Sequence, residues 1–396
     1  MGTESIEGQF MEVSRLIHER IRPSLPELSR YGSVEELESS PVYRALKSFL
    51  DEILGTIQSS ANCNSTPESK DFLRVLAWNI ERGKQLAGQL EVLSRHPFLS
   101  NCDVMLLTET DLGMARSGNV DIAATMAREL GFNYCFIPCY LSLVKGSGME
   151  RDVKGENDQG LHGNAILSRY PLRNLRSIAL PNGIDKMAGK EKRIGQQQAL
   201  VAEIPFQQGT ITFVCVHLDA NSSQLHRADQ MKKVLDELPA RGPVVIGGDW
   251  NTTTFNSSTA FHAIMGFWLR VLMGTGNVIR NHYLHPYRRF EKRLFELLEA
   301  RGFEYKQSNM IGEHTIFYDV KDMSTHEGLA EWVPAWCFPF IRWALREHGG
   351  GCPLKLDWFA TRGVAARNPR VFHEVREGRC VRLSDHDAIT VDIAPI

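Results

Sequence analysis

The chain has 396 residues, 43% of them apolar, with 45 basic against 47 acidic side chains and a formal net charge of −2. That length suits one large core with appendages, or two domains. The near-neutral balance excludes the overall basic footprint of a tight, non-specific DNA binder and leaves room for a local basic groove.

The first residues, Met1-Gly2-Thr3-Glu4-Ser5-Ile6, lack a basic region followed by an apolar run, so no secretory leader is expected. Ile6 stands where a myristoylation signal at Gly2 wants serine or threonine. No run of eighteen apolar residues occurs anywhere, so no membrane span is expected. The 8 cysteines are scattered, several inside strand-like runs, which suits reduced thiols in a cytoplasmic protein better than a disulfide frame. Cys135 and Cys139 lack the second pair that a zinc site needs.

Residues 1–57 read as helices. Ser33-Val34-Glu35-Glu36 has the form of a capping box, and Ser40-Pro41 offers a cap with proline at the first helical position. Behind it Tyr43, Leu46, Phe49, Leu50, Ile53, Leu54 and Ile57 recur at helical spacing, giving an apolar face that packs on the main body. The polar, aperiodic stretch Gln58 to Lys70 reads as a linker. The expected division is therefore a helical extension with linker over 1–70 and a main domain over 71–396.

In that domain a series of buried strands ends in polar tips. Phe72 to Trp78 leads into Asn79-Ile80-Glu81, and Val104 to Leu107 into Thr108-Glu109-Thr110-Asp111. A helix from about Val120 closes at Gly131, and Gly160-Leu161-His162-Gly163-Asn164 reads as a tight turn before Ala165 to Ser168. Thr212 to Val216 leads into His217-Leu218-Asp219, and a helix over Ser223 to Leu238 returns the chain to Val244 to Gly248, whose tip is Asp249-Trp250-Asn251. On an extended chain, Asp249 and Asn251 share a face. From about 255 to 347 the pattern loosens into an insert rich in aromatics and basics, with a helix over Leu294 to Ala300 stopped by Gly302. Its segment Trp332 to Trp343 is either an interfacial surface or a layer covering a sheet. Leu354 to Ala360 is the next strand, carrying Asp357, and Leu383-Ser384-Asp385-His386-Asp387 precedes a last strand over Ala388 to Ile393.

Polar tips repeated on successive core strands converge if those strands lie side by side in two packed sheets. The collected tips offer oxygen donors and histidines and no thiolate, which favours Mg²⁺ or Mn²⁺ over zinc. Magnesium keeps several waters and takes only one or two protein carboxylates, so a short ligand list suffices.

In order, WNIE, the Glu109 strand, HGNAILSRYP, VHLD, GGDWN, the Asp357 strand and LSDHD resemble the endonuclease/exonuclease/phosphatase superfamily, which includes DNase I-like and exonuclease III-like phosphodiesterases. The resemblance spans about Phe72 to Ile393. It implies an α/β four-layer sandwich in which two packed mixed sheets are flanked by helices. It implies metal-dependent hydrolysis of a phosphoester, nuclease-like in class, with a nucleic acid as the possible partner and no obligate protein partner. By the same resemblance Glu109 is the principal metal ligand, helped by Asn79, Asp385 and, less securely because relatives carry aspartate there, Glu81. Asp249 orients or deprotonates water, Asn251 holds a phosphate oxygen, and His217 donates to a non-bridging oxygen. His386, paired with Asp357, either accepts a proton or stabilises the charged phosphorus centre. Leu161 stands where the exonuclease III-like branch has tyrosine, which weighs against specific abasic-site repair. His162 and Asn164 are candidates for substrate contact or for bracing their turn. Asp219 reads as an exposed strand-end carboxylate in preference to a partner that supports a site residue, and Arg193 as a solvated or paired surface residue in preference to a phosphate clamp.

Three function classes compete. The first is a metal-dependent phosphodiesterase, with a phospholipid, sphingomyelin or inositol-phosphate esterase as the alternative substrate class. A calcineurin-like two-metal phosphoesterase needs Asp-x-His, GDxxD, GNH and GHxH steps that are missing here. A non-catalytic binding protein on the same scaffold is disfavoured because each tip keeps a chemically competent residue.

Overall fold

A computed structural model describes residues 11–63, 70–220, 222–253, 256, 259–319, 338–376 and 381–396. Strands run in chain order as β1 (Gln58–Ser60), β2 (Leu73–Asn79), β3 (Val104–Leu112), β4 (Asn133–Ser142), β5 (Leu161–Ser168), β6 (Arg173–Leu180), β7 (Arg193–Gly195), β8 (Gln197–Phe206), β9 (Gly209–Cys215) and β10 (Val244–Asp249). They continue as β11 (Ile316–Asp319), β12 (Gly351–Leu354), β13 (Asp357–Arg362), β14 (Val364–Phe372) and β15 (Ala388–Pro395). The helices used below are α1 (Val34–Ser39), α2 (Pro41–Gly55), α3 (Leu86–Arg95), α4 (Ile122–Leu130), α5 (Gln224–Asp236), α6 (Ala260–Leu272), α7 (Lys292–Ala300) and α8 (Phe338–Leu345).

One sheet has the order β1-β4-β5-β3-β2-β15-β14, with β7 beside β4, and the other the order β13-β10-β9-β8-β6. Each is mixed, because β2 runs parallel to β3 and β9 parallel to β10 while the other pairs are antiparallel. Leu73, Val75, Leu106 and Ile166 of the first sheet share one core with Leu200, Phe213, Val245 and Phe359 of the second. Burying both faces of these strands explains their near-continuous apolar runs. The outer face of the first sheet is covered by α2, α3 and α4, and that of the second by α5 and α7. This is the four-layer sandwich that the tips require.

The caps form as their chemistry dictates. Ser33 Oγ accepts from Glu36 N–H at 3.1 Å and Ser40 Oγ from Tyr43 N–H at 3.2 Å. Leu46, Leu50 and Ile53 of α2 join the same apolar cluster as Phe136 and Ile194. Three readings need revision. The stretch read as linker opens with an edge strand, Gln58 pairing with Phe136. The segment 161–164 is strand and not turn, since only Gly160, at φ 74°, bends the chain. The run Leu354 to Ala360 breaks into β12 and β13, because Lys355 and Leu356 leave the β11–β12 ribbon to enter the main sheet. The insert builds its own small core, in which Ile316, Ile341, Leu345 and Leu354 meet Val278, Ile279 and Tyr283. Trp332 and Trp336 lie outside the described residues.

Candidate active site

The pocket forms where both sheets end. Asp249 and Asp357 are directly opposed in the β10–β13 register, two carboxylates as cross-strand neighbours. Such a pair is repulsive unless something positive stands between them. His386 does so: its Nδ1 is 2.8 Å from Asp357 Oδ2 and its Nε2 is 3.7 Å from Asp249 Oδ2. Burial opposes the imidazolium, yet Asp357 and then Asp249 overcome it and hold the His386 pKa well above its ordinary value. Asp249 is pushed up by burial and by Asp357, against His386 and His217. His217 Nε2 lies 3.5 Å from the same Asp249 oxygen, and burial lowers its pKa, so this second ring is the neutral one.

His386 is carried on a loop from the first sheet. Its carbonyl accepts from Trp78 Nε1 at 3.0 Å, its N–H donates to Ser384 Oγ at 3.1 Å, and Ser384 Oγ donates to the Asn79 carbonyl at 2.6 Å. Asn79 then ties the sheets together, its Nδ2 donating to Asp249 Oδ2 at 3.1 Å.

A second cluster sits on the first-sheet side. Glu81 Oε2 accepts from Asp385 N–H at 3.1 Å, and Glu81 is pushed up by burial and by the Asp385 charge despite Lys84 and Arg382 nearby. Glu109 lies in β3 at the point where pairing with β5 slips between Leu107 and Thr110, with φ 54°. The bulge re-aims its carboxylate out of the strand. Burial would raise Glu109, but the Arg82 guanidinium, whose Nε is 3.9 Å away, leads the positive charges that hold it ionised. Glu81 (φ 47°), Arg82 (φ 67°) and Asn251 (φ 49°) share this left-handed strain, which concentrates at functional sites.

Asn251 differs from its extended-chain reading. The strand stops at Asp249 and the chain folds back, so that Asn251 N–H donates to Asp249 Oδ1 at 2.9 Å and Asn251 Nδ2 to the Leu218 carbonyl at 2.9 Å. Gly248 permits the approach, because a Cβ there would strike the Val216 carbonyl.

His162 and Asn164 stand further along β5. His162 Nδ1 is 2.7 Å from Asp111 Oδ1, and Asp111 also receives Arg116 Nε at 2.8 Å. Asn164 Nδ2 donates to the Gln198 carbonyl at 2.8 Å. Asp219 is corrected: it is 3% exposed and holds Lys186 Nζ at 3.1 Å, so it is a buried ion-pair partner. Arg193 is paired, lying over the Tyr140 ring at 4.4 Å and 3.9 Å from Glu191.

The sequence reading passed over Arg116, Glu150 and Glu191, an ion network behind Glu109, and Tyr318 on β11. Its strand is bridged to the His386 loop at Ile316, and burial with the charges of Asp385, Asp249 and Glu109 pushes the Tyr318 phenol well up. The TETD tip already contained Asp111. Nothing local marked Tyr318.

The profile of the Endonuclease/Exonuclease/phosphatase family matches residues 76–386, a span holding every tip named above. The chain belongs to that family. It is 34% identical over 96 residues to the uncharacterized protein YbhP of Escherichia coli K12 and to its Shigella flexneri counterpart. That alignment covers 24% of this chain and only 34% of either relative. Among solved structures it is similar to an endonuclease/exonuclease/phosphatase from Beutenbergia cavernae, with TM-score 0.46 and 17% identity over 82% of this chain and 72% of that one. The human Nocturnin catalytic domain gives TM-score 0.44 and 15% identity over 86% and 98%. A 3′ phosphatase from Neisseria, solved with a product DNA hairpin, gives 0.45 and 14% over 81% and 98%.

For a family generally made of phosphoester hydrolases using divalent metals, the donor chemistry fits. Glu81 and Asp385 repel each other even with Lys84 and Arg382 nearby, and Glu109 and the Asn79 amide add hard oxygens. Asp249, Asp357 and His386 also stand close enough to surround an ion. There, however, both ring nitrogens face carboxylates, so a proton already supplies the positive charge. Among the described residues no helix is long and apolar enough to cross a membrane.

Proposed function

We propose that this protein is a divalent-metal-dependent phosphodiesterase that directs water onto phosphorus, nuclease-like in class. The observation carrying this reading is the Asp357–His386–Asp249 line, joined through Asn79 to an oxygen-donor cluster on the other sheet. Glu109, Asn79, Asp385 and Glu81 are the residues that would hold Mg²⁺ or Mn²⁺, which when bound would supply charge neutralisation at the phosphate.

The chain's own groups do the rest. Asp249, pushed up by burial, is a better base than an ordinary carboxylate and takes the proton of the attacking water. Asn251 holds a phosphate oxygen. The neutral His217 donates its ring N–H to a non-bridging oxygen as charge builds. Of the two roles open to His386, its place between Asp357 and Asp249, which raises its pKa, supports stabilising the charged phosphorus centre over accepting a proton. His162 and Asn164 border the substrate. His162 is within electrostatic range of Glu109 and His217, and the buried Asn164 Oδ1 has no hydrogen-bond partner among the described residues. Arg82, Lys84 and Arg382 around the acidic cluster suit a polyanionic substrate such as nucleic acid. Cys63, Cys102, Cys135, Cys139, Cys215 and Cys352 are free thiols, which supports a reducing, cytoplasmic setting.

Bis-p-nitrophenyl phosphate supplies the test. The protein with Mg²⁺ or Mn²⁺ should turn it over, and EDTA should stop the reaction. No turnover with either ion across a screen of DNA, RNA, nucleotides, inositol phosphates and phospholipids would leave the non-catalytic reading in its place.

A further inference from the structure

Helix α6 is built inside out. Phe261, Met265, Trp268, Leu269 and Leu272 fall at i, i+4, i+7, i+8 and i+11, one face of a helix, and they are 38–84% exposed. On its other side the helix buries Arg270, stacked over the Phe290 ring at 4.4 Å. Phe340 and Trp343 of α8 extend the same apolar surface, both more than 40% exposed, with the Phe340 ring 5.9 Å from that of Trp268. Scattered exposed apolar residues are ordinary, but seven on two adjoining helices are a patch that monomers seldom leave in water.

The charge around the patch says what covers it. From Trp250 to Phe290 the chain contains no aspartate or glutamate, while Arg280, Arg288 and Arg289 are exposed there. On α8 and just after it, Arg342 and Arg346 are exposed beside Trp343, with Arg346 5.5 Å over its ring and 3.7 Å from Glu347, the one acidic neighbour on this stretch. A second copy of the chain packed on this face about a two-fold axis would set these arginines against themselves, since an isologous interface meets its own charges. A surface apolar at depth and negative at its rim meets the demand. Tryptophan, phenylalanine and arginine together are the residues that seat a helix at the lipid headgroup level.

We propose that the α6–α8 face docks on an anionic lipid bilayer, laying the helices in the interface without crossing it. The insert core that carries α8 also carries Ile316 of β11, which is bridged to the His386 loop.

Co-sedimentation with vesicles tests this, using the full chain in EDTA so that the result does not depend on hydrolysis or on the phosphodiesterase reading. The wild type should pellet with phosphatidylglycerol/phosphatidylcholine vesicles and stay in solution with phosphatidylcholine alone. Trp268→Glu with Leu272→Glu should reduce the vesicle-bound fraction at least tenfold. Arg342→Glu with Arg346→Glu, confined to exposed charges, should also reduce it even if the first variant folds poorly. Absence of pelleting with anionic vesicles, or pelleting unchanged in the arginine variant, overturns the proposal. So does a wild-type dimer in sedimentation velocity that Trp268→Glu with Leu272→Glu dissociates, since a second copy would then be the occupant.

Discussion

The two sheets bring opposite electrostatic habits to one pocket. On the second sheet, Asp249 and Asp357 are each answered by an imidazole, and the positive charge between them is a proton on His386. On the first, Glu81 and Asp385 crowd each other, with Lys84 at 3.7 Å and Arg382 at 3.8 Å from Glu81 as distant counter-charges, and Glu109 relies on Arg82 at 3.9 Å. A carboxylate matched by histidine can move protons, whereas crowded carboxylates whose basic partners stand 3.7–3.9 Å away keep charge to spare for a cation. In the proposed reaction that difference divides the labour between the sheets. At the pocket, Asn79 and the loop 384–387 link one to the other.

The largest expected effects break that division in two ways. His386→Ala should lower kcat by at least ~10²-fold, the low end of proton-transfer and charge-stabilising effects, while calorimetric Mn²⁺ affinity stays within a factor of a few. Glu109→Gln should do the converse, moving the Mg²⁺ concentration for half activity upward by roughly tenfold or more, the scale of losing a charged ligand interaction. A His386→Ala protein within a factor of a few of wild type would remove that ring from the chemistry. An unchanged Mg²⁺ titration in Glu109→Gln would take metal binding away from the first sheet.

How much of this was visible in the sequence follows from what is local. Strand tips were legible because a buried strand is apolar along its length, so Asn79, Glu109, Asp249 and Asp357 stood out as polar residues bounding apolar runs, although Asn79, Asp249 and Asp357 are themselves buried. Ser33 and Ser40 were legible because a cap is satisfied within three residues. The left-handed Asn251 was not, since alternation assumes that the strand continues. Lys186 with Asp219, and Arg116 with Glu191, are pairs made by folding over long separations, and neither member carries a local sign of its partner. Trp268 and Leu272 were hidden for another reason. Periodicity shows that a helix has an apolar face but not whether that face turns inward.

A smaller effect sharpens the second-sheet half of the comparison. His386 acts as the charged ring, so activity should persist below its raised pKa and fall as pH climbs through it, an alkaline limb displaced above the ordinary histidine value. Asp357 leads the groups that hold this pKa up, so Asp357→Asn should move the alkaline limb of kcat/KM to lower pH as well as slowing the reaction. A slower enzyme with its limb unmoved would make Asp357 a support of position and not of charge.

The smallest effect concerns the loop that carries His386 between the sheets. Its next residue, Asp387, donates its N–H to the Thr315 carbonyl at 2.7 Å and accepts from Arg376 Nε at 3.0 Å and His373 Nδ1 at 2.8 Å. The hydrogen bond to Asp387 raises the His373 pKa, and partial burial offsets it only in part. A histidine whose folded pKa lies above its unfolded value adds stability in full below the unfolded value, near 6.5, and loses it as pH rises through the folded value. With the His373 side chain 31% exposed, the pair should contribute about 1 kcal/mol, below the range for a buried charged hydrogen bond. Urea midpoints for wild type and His373→Asn should therefore differ most near pH 6 and converge toward pH 9. A gap that stays constant over that range would mean that Arg376 and the Thr315 contact anchor the loop and that the proton on His373 has no part in it.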